Sequence, residues 1–267
     1  MEIRAAAGSV VAIYRRELQS YFASPLSYGV ATIFWLIAGF FLVISLLSPA
    51  GLIAQVAQAD QQGAAATVDV AYEFLRGYLG LLGSLSMFIL PMLSMGLYTD
   101  ERKLGTLELL ATSPVTNWAV ALGKFLAVLT FFITLLLPVL LCESIAIGAA
   151  EPPIQPMVFL IGHLGLVLLA GSILALGMFI SSLTESTVLS AVMTFGLVLL
   201  LWVVDLIAQS LQGPLGQAIA HLSLLRHYTD FTQGVLDLSS LILFLSYSLL
   251  GLFLTAQSIE ALRFQRS

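Results

Sequence analysis

Charge is what this sequence has least of. Charged residues make up 9% of its 267 residues and hydrophobic residues 59%. A water-soluble domain carries roughly a quarter charged residues, so this composition excludes an ordinary water-facing surface. Cysteine is also nearly absent: Cys142 stands alone, which excludes an internal disulfide or a thiolate metal cluster. It reads as a small apolar filler near a helix end. No basic face exists to meet nucleic acid. No G-x-x-x-x-G-K-[ST] string occurs, so the chain lacks the phosphate cradle of a nucleotide hydrolase.

What is present is length and apolarity. Runs of about 18 or more apolar residues recur along the chain, the mark of membrane-crossing helices. The fold class is therefore all-α, a polytopic membrane protein with six transmembrane helices. The expected spans are 26–47, 78–98, 118–142, 157–181, 187–208 and 239–260. Each suits a hydrocarbon core of roughly 30 Å at 1.5 Å rise per residue. No small-residue cleavage site bounds a short apolar region near the start, so the first span is expected to be kept. The whole of 1–267 reads as one transmembrane domain.

Orientation follows from the basic residues in the connections. With a cytoplasmic N-terminus, the inner side holds Arg4, Arg15, Arg16, Arg102, Lys103, Lys124, Arg263 and Arg266, and the outer side only Arg76 and Arg226. Both termini are thus expected in the cytoplasm. The outer connections are acidic, and none is long enough for a separate folded domain. The inner connection at 182–186 is only a turn.

Residues 1–25 precede the first span. Within them Val10, Val11, Ile13, Tyr14, Leu18, Tyr21 and Phe22 recur near helical spacing, with Arg15, Arg16, Glu17 and Gln19 largely on the other side. The pattern predicts an amphipathic helix lying in the inner interface, ended by Ser24-Pro25. It serves as an anchor or as a partner contact. Pro91 and Pro138 remove backbone hydrogen bonds inside spans two and three and are expected to kink them. Gly162, Gly165, Gly171, Ala175 and Gly177 on span four allow close helix packing.

Ionisable residues at mid-membrane depth would mark a carrier, and almost none are expected. Lys124 is placed to snorkel back to the cytoplasm. Glu143, Asp205 and His163 lie near outer span ends, within reach of headgroups and water. No histidine on the last span can serve a serine as base, and one intramembrane histidine does not bind haem across a bundle. His221 and His227 alone make a weak metal site.

The charge that exists gathers at Asp100–Trp118, between spans two and three. Asp100 can cap a short helix starting at Glu101. On that helix Leu104 and Leu107 share a face, and Glu101, Gly105 and Glu108 stack on another. Gly105 would admit the close approach of a second protein, and Ser113-Pro114 ends the helix. The expected product is an amphipathic cytoplasmic hairpin continuous with both spans.

The string Glu101-Arg102-Lys103-Leu104-Gly105-Thr106-Leu107-Glu108-Leu109-Leu110, followed by Thr112-Ser113-Pro114-Val115, resembles the coupling segment of ABC-2 type permeases. Within them it is most similar to the subgroup linked to gliding motility and nitrous-oxide-reductase maturation, as is Leu225 to Asp237 near the end. The resemblance implies the membrane subunit of an ATP-driven exporter in the bacterial inner membrane, itself no enzyme and binding no cofactor. ATP and Mg would sit on a separate cytoplasmic ATPase subunit, docked on a coupling helix at Glu101, Arg102, Lys103, Leu104, Gly105, Thr106, Leu107 and Glu108, with Arg15 and Arg16 alongside. A second copy or a related permease would complete the path. The 209–238 segment, with Pro214, Arg226, His227 and Asp230, would form short re-entrant helices acting as an outer gate. A further membrane subunit with an extracytoplasmic domain is compatible with the small outer loops. The rival class is a six-span scaffold that recruits a soluble partner without moving solute.

Overall fold

A computed structural model describes residues 2–49, 51–61, 69–106, 116–148, 154–211, 213, 216–217 and 220–264, and no strand occurs among them. Six stretches are long and apolar enough to cross a membrane: Pro25–Gln58, Val70–Lys103, Asn117–Gly148, Pro156–Leu183, Thr187–Ala208 and Leu238–Ala261. The chain is an all-helical multi-pass membrane protein.

The helices are α1 (Glu2–Ala23), α2 (Pro25–Leu47), α3 (Leu52–Gln61), α4 (Val70–Ser94), α5 (Gly96–Lys103), α6 (Asn117–Gly148), α7 (Pro156–Leu183), α8 (Thr187–Ser210), α9 (Leu224–Thr232) and α10 (Leu238–Phe264). Their starts are local chemistry. Asp69 accepts from the Tyr72 amide at 3.1 Å and so caps α4. Ser186 accepts from the Leu189 amide and caps α8. Pro25 and Pro156 sit in the first turns of α2 and α7, where a missing N–H costs nothing.

α7 is the central post. It packs against α4, α6, α8, α9 and α10, and Leu166, Leu169, Ala170, Leu174 and Met178 are fully buried. Its small residues explain the closeness. A Cβ on Gly162 would collide with Leu79, on Gly165 with Phe231 and on Gly177 with Ser94. Gly251 of α10 lies against the backbone of Ala175 in the same way. Without a hydrophobic force between helices in lipid, such contact is what holds the bundle. Pro91 lies inside α4 and Pro138 inside α6.

The first helix, α1, packs along α6. Gly123 leaves room for Ile13, whose Cγ2 would stand 2.8 Å from a Cβ there. The Tyr14 hydroxyl donates to Thr130 Oγ1 at 3.3 Å, and the Tyr21 ring stacks on Phe131 with centroids 5.1 Å apart. Cys142, expected as a small apolar filler near a helix end, is exposed on α6.

Three ionisable groups expected near water are also buried. Glu143 is 0% exposed, and its Oε2 lies 2.8 Å from His163 Nε2, while His163 Nδ1 lies 2.9 Å from the Phe159 carbonyl. The Glu143 Oε1 atom is buried without a partner. Asp205 accepts from the Ser223 hydroxyl at 2.6 Å, and that hydroxyl in turn accepts from the Arg226 amide and caps α9. The hydrophobic stretch suggested span ends open to headgroups. The packing of α9 over α4, α7 and α8 closes that end instead.

Candidate functional site at the charged end of the bundle

The end of the bundle bearing α1 and α5 is where the described basic residues concentrate. Its geometry begins with a break. α4 stops at Ser94, Met95 forms a turn, and α5 resumes at Gly96. A fresh helix start leaves amide donors without partners. Here Ser181 of α7 supplies the missing group: its hydroxyl accepts from the Tyr98 amide at 3.0 Å and the Thr99 amide at 3.2 Å, and donates to the Met95 carbonyl at 2.9 Å. Gly177, one turn back on α7, admits Ser94 beside the same break. One sequence signal could have pointed here, the polar pair Ser181-Ser182 closing an otherwise apolar run.

α5 then carries Asp100, Glu101, Arg102 and Lys103. Asp100 lies inside this helix and does not cap a new one at Glu101, because α5 begins at Gly96 and ends at Lys103. The stop is a Schellman arrangement: the Thr106 amide bonds the Glu101 carbonyl at 2.9 Å, the Gly105 amide bonds the Arg102 carbonyl at 3.1 Å, and Gly105 has φ +69. Gly105 thus provides the left-handed turn that ends the helix, a role its neighbours' side chains could not fill without strain. Leu104 and Thr106 are exposed beside it. Leu107 and Glu108 lie outside the described residues.

The centre of the site is Lys124. It is 2% exposed and does not snorkel outward. Its ammonium lies 3.0 Å from Glu17 Oε1 of α1 and 3.0 Å from Glu101 Oε1 of α5, and 5.2 Å from the centre of the Tyr98 ring. Two carboxylates and an aromatic face replace the water that a buried ammonium loses. Glu17 therefore turns inward, against the sequence expectation that it shares the outer face with Arg15 and Arg16. Those two arginines are exposed on α1. Glu101 Oε2 and the Tyr98 hydroxyl are buried without partners.

Two more contacts tie the end together. The Tyr21 hydroxyl donates to the Leu93 carbonyl at 2.7 Å. Burial, then the nearby Glu17 and Asp100 carboxylates, holds that phenol well above the ordinary tyrosine range, so it stays a donor. Arg102 Nη1 donates to the Ser182 carbonyl at 2.6 Å, and its Nε lies 3.7 Å from Glu185. The 182–186 turn is thereby pinned to α5. Residues from α1, α5, α6 and α7 meet within one charged knot.

The second expected set lies at the far end, on α9. Arg226 is exposed and Asp230 half-buried, while His227 is buried, with Nδ1 2.7 Å from Ser240 Oγ and Nε2 3.2 Å from the His221 carbonyl. His227 thus ties α9 to α10 and presents nothing to solvent. Pro214 lies outside the described residues. No group of three or more metal-ligating side chains occurs among the described residues.

Compared with known families, the chain matches the model described as "ABC-2 family transporter protein" over residues 67–217, more than half its length. That span includes α4, α5, the following arm, α6, α7 and α8. No curated protein matches it.

Proposed function

The chain belongs to the ABC-2 transporter family, and we propose that within it this protein is an exporter's membrane subunit, driven by a separate ATPase docked on its charged end. The observation that carries the reading is Lys124, which joins α1, α5 and α6 through two buried ion pairs. A push on the arm after Lys103 reaches the second and third crossings together, and α1 with them.

In this reading the charged end faces the cytoplasm of a bacterial cell and both termini lie there. The ATPase subunit holds ATP and Mg and contacts the arm from Glu101 to Glu108, with Arg15 and Arg16 exposed beside it. Two copies, or this chain with a related one, enclose the path. α9, seated over the far end, forms part of the outer gate through Arg226 and Asp230. The subgroup is that of the gliding-motility and nitrous-oxide-reductase-maturation permeases, which the arm sequence resembles, and a further subunit with an extracytoplasmic domain would complement the short outer loops.

The test is to reverse Glu108 to Lys, then copurify the ATPase subunit and measure its turnover. Association or chain-dependent hydrolysis should fall while membrane insertion persists. Unchanged hydrolysis in the purified complex would reject the docking role, and a copurifying partner with no ATPase activity would favour the scaffold.

A further inference from the structure

A cleft of about 360 Å³ opens between α1, the start of α2 and the α4–α5 break. Its two sides differ in kind. Leu26, Val30, Met92 and Leu93 line one side, and Leu26 and Met92 are 51% and 39% exposed on the bundle surface. That edge therefore opens toward acyl chains. Arg16, Ser20, Ser24, Asp100 and Thr106 line the other, at the level of the charged end.

The charges in the cleft do not cancel among themselves. Lys124 is taken by Glu17 and Glu101. That leaves Glu101 Oε2, which is buried without a partner, the Asp100 carboxylate, and the Arg16 guanidinium. Asp100 folds back over the bare backbone of Gly96, where a Cβ would stand 2.9 Å from Asp100 Oδ2. Gly96 itself lines the cleft, so the carboxylate is presented inside it.

We propose that this cleft binds a phospholipid whose headgroup carries a primary ammonium beside its phosphate, drawn from the leaflet at the charged end. The ammonium, with three N–H donors, is met by Asp100, with the Glu101 carboxylate behind it, and the phosphate by the Arg16 fork. A trimethylated headgroup has no N–H to offer these carboxylates, and a glycerol headgroup brings no positive charge to them. The volume admits a headgroup and the first methylenes, while the two chains leave past Leu26 and Met92 into the bilayer. The proposal rests on the membrane orientation of the reading above and not on the ATPase.

The full chain, purified in detergent, is incubated with mixed micelles holding equal amounts of synthetic phosphatidylethanolamine, phosphatidylcholine and phosphatidylglycerol, and retained lipid is counted by native mass spectrometry. Phosphatidylethanolamine should be retained about tenfold over either competitor, the scale of a lost charge-assisted hydrogen bond. Asp100→Asn and Arg16→Gln should each lower that retention about fivefold with an unchanged melting temperature. Met92→Trp, which obstructs the apolar mouth without touching charge, should lower it too, and Glu73→Gln at the other end should not. Equal retention of the three lipids, or wild-type retention by Asp100→Asn, overturns the proposal. Displacement of bound lipid by excess free phosphoethanolamine would overturn the lipid in favour of a soluble headgroup ligand. Since no nucleotide enters this measurement, a preserved lipid preference alongside unchanged ATPase turnover in the arm variant would reject only the docking reading.

Discussion

Lys124 and Glu101, 23 residues apart in sequence, meet at 3.0 Å inside the protein, where the ammonium is 2% exposed. The pair spans the loop that the family resemblance singles out, and it makes the two ends of that loop one rigid piece.

Removing the cation should therefore be severe. Lys124→Met leaves Glu17 and Glu101 facing each other with no counter-charge, a loss of about 3–5 kcal/mol for a broken buried pair. A large fall in melting temperature is expected, and adding Glu17→Gln with Glu101→Gln should restore much of it. A single mutant as stable as the wild type would show that the ammonium is not held as described.

Arg102 offers a comparison of two contacts. Its ion pair with Glu185, which is 72% exposed, is worth roughly 0–1 kcal/mol. The charge-assisted bond to the Ser182 carbonyl is worth about 1.5–3 kcal/mol. Thermal melts should accordingly show Arg102→Ala more destabilised than Glu185→Ala, and the reverse order would assign the anchoring to the wrong contact.

The glycines of α4 separate in the same kind of experiment. A Cβ on Gly83 would run into the Tyr228 ring, whereas Gly77 and Gly80 face open space. Gly83→Ala should cost about 1–3 kcal/mol by overpacking and loosen α9 from the bundle. Gly77→Ala should cost nothing measurable.

At the far end, His163 Nε2 and Glu143 Oε2 lie 2.8 Å apart. Glu143→Gln keeps a hydrogen-bonding group opposite the ring, while His163→Leu abandons a carboxyl that is fully buried. The leucine variant should melt lower than the glutamine variant, since stranding a buried polar group costs more than replacing a partner in kind. Equal melting temperatures would contradict this asymmetry.

The six membrane-length helices were legible because span length and apolarity are properties of a continuous string, needing no knowledge of neighbours. The gathering of charge after Tyr98 was legible for the same reason. What escaped was everything decided by a distant partner. Nothing local to Lys124 reveals that Glu17, 107 residues away, will turn inward to meet it. Without that partner, a lysine two turns into a span reads as one that reaches for water. Glu143 and His163 were misplaced alike, because span position suggests exposure, whereas both are buried and meet each other at 2.8 Å. Gly105 also has a backbone role that its neighbours in sequence do not reveal: its positive φ ends α5, which shows only once Thr106 and Glu101 are seen bonded. Pro91 marked the right crossing, yet the interruption lies four residues on at Met95, where Ser181 could complete it.

That serine has a mechanical corollary. A bend whose open valences are filled by another helix's hydroxyl cannot be straightened by one helix alone. For the final two turns of the second crossing to swing, the fourth must travel with them or release three hydrogen bonds at once. The joint is pinned from outside, and its pin stands on the post around which the other crossings are gathered.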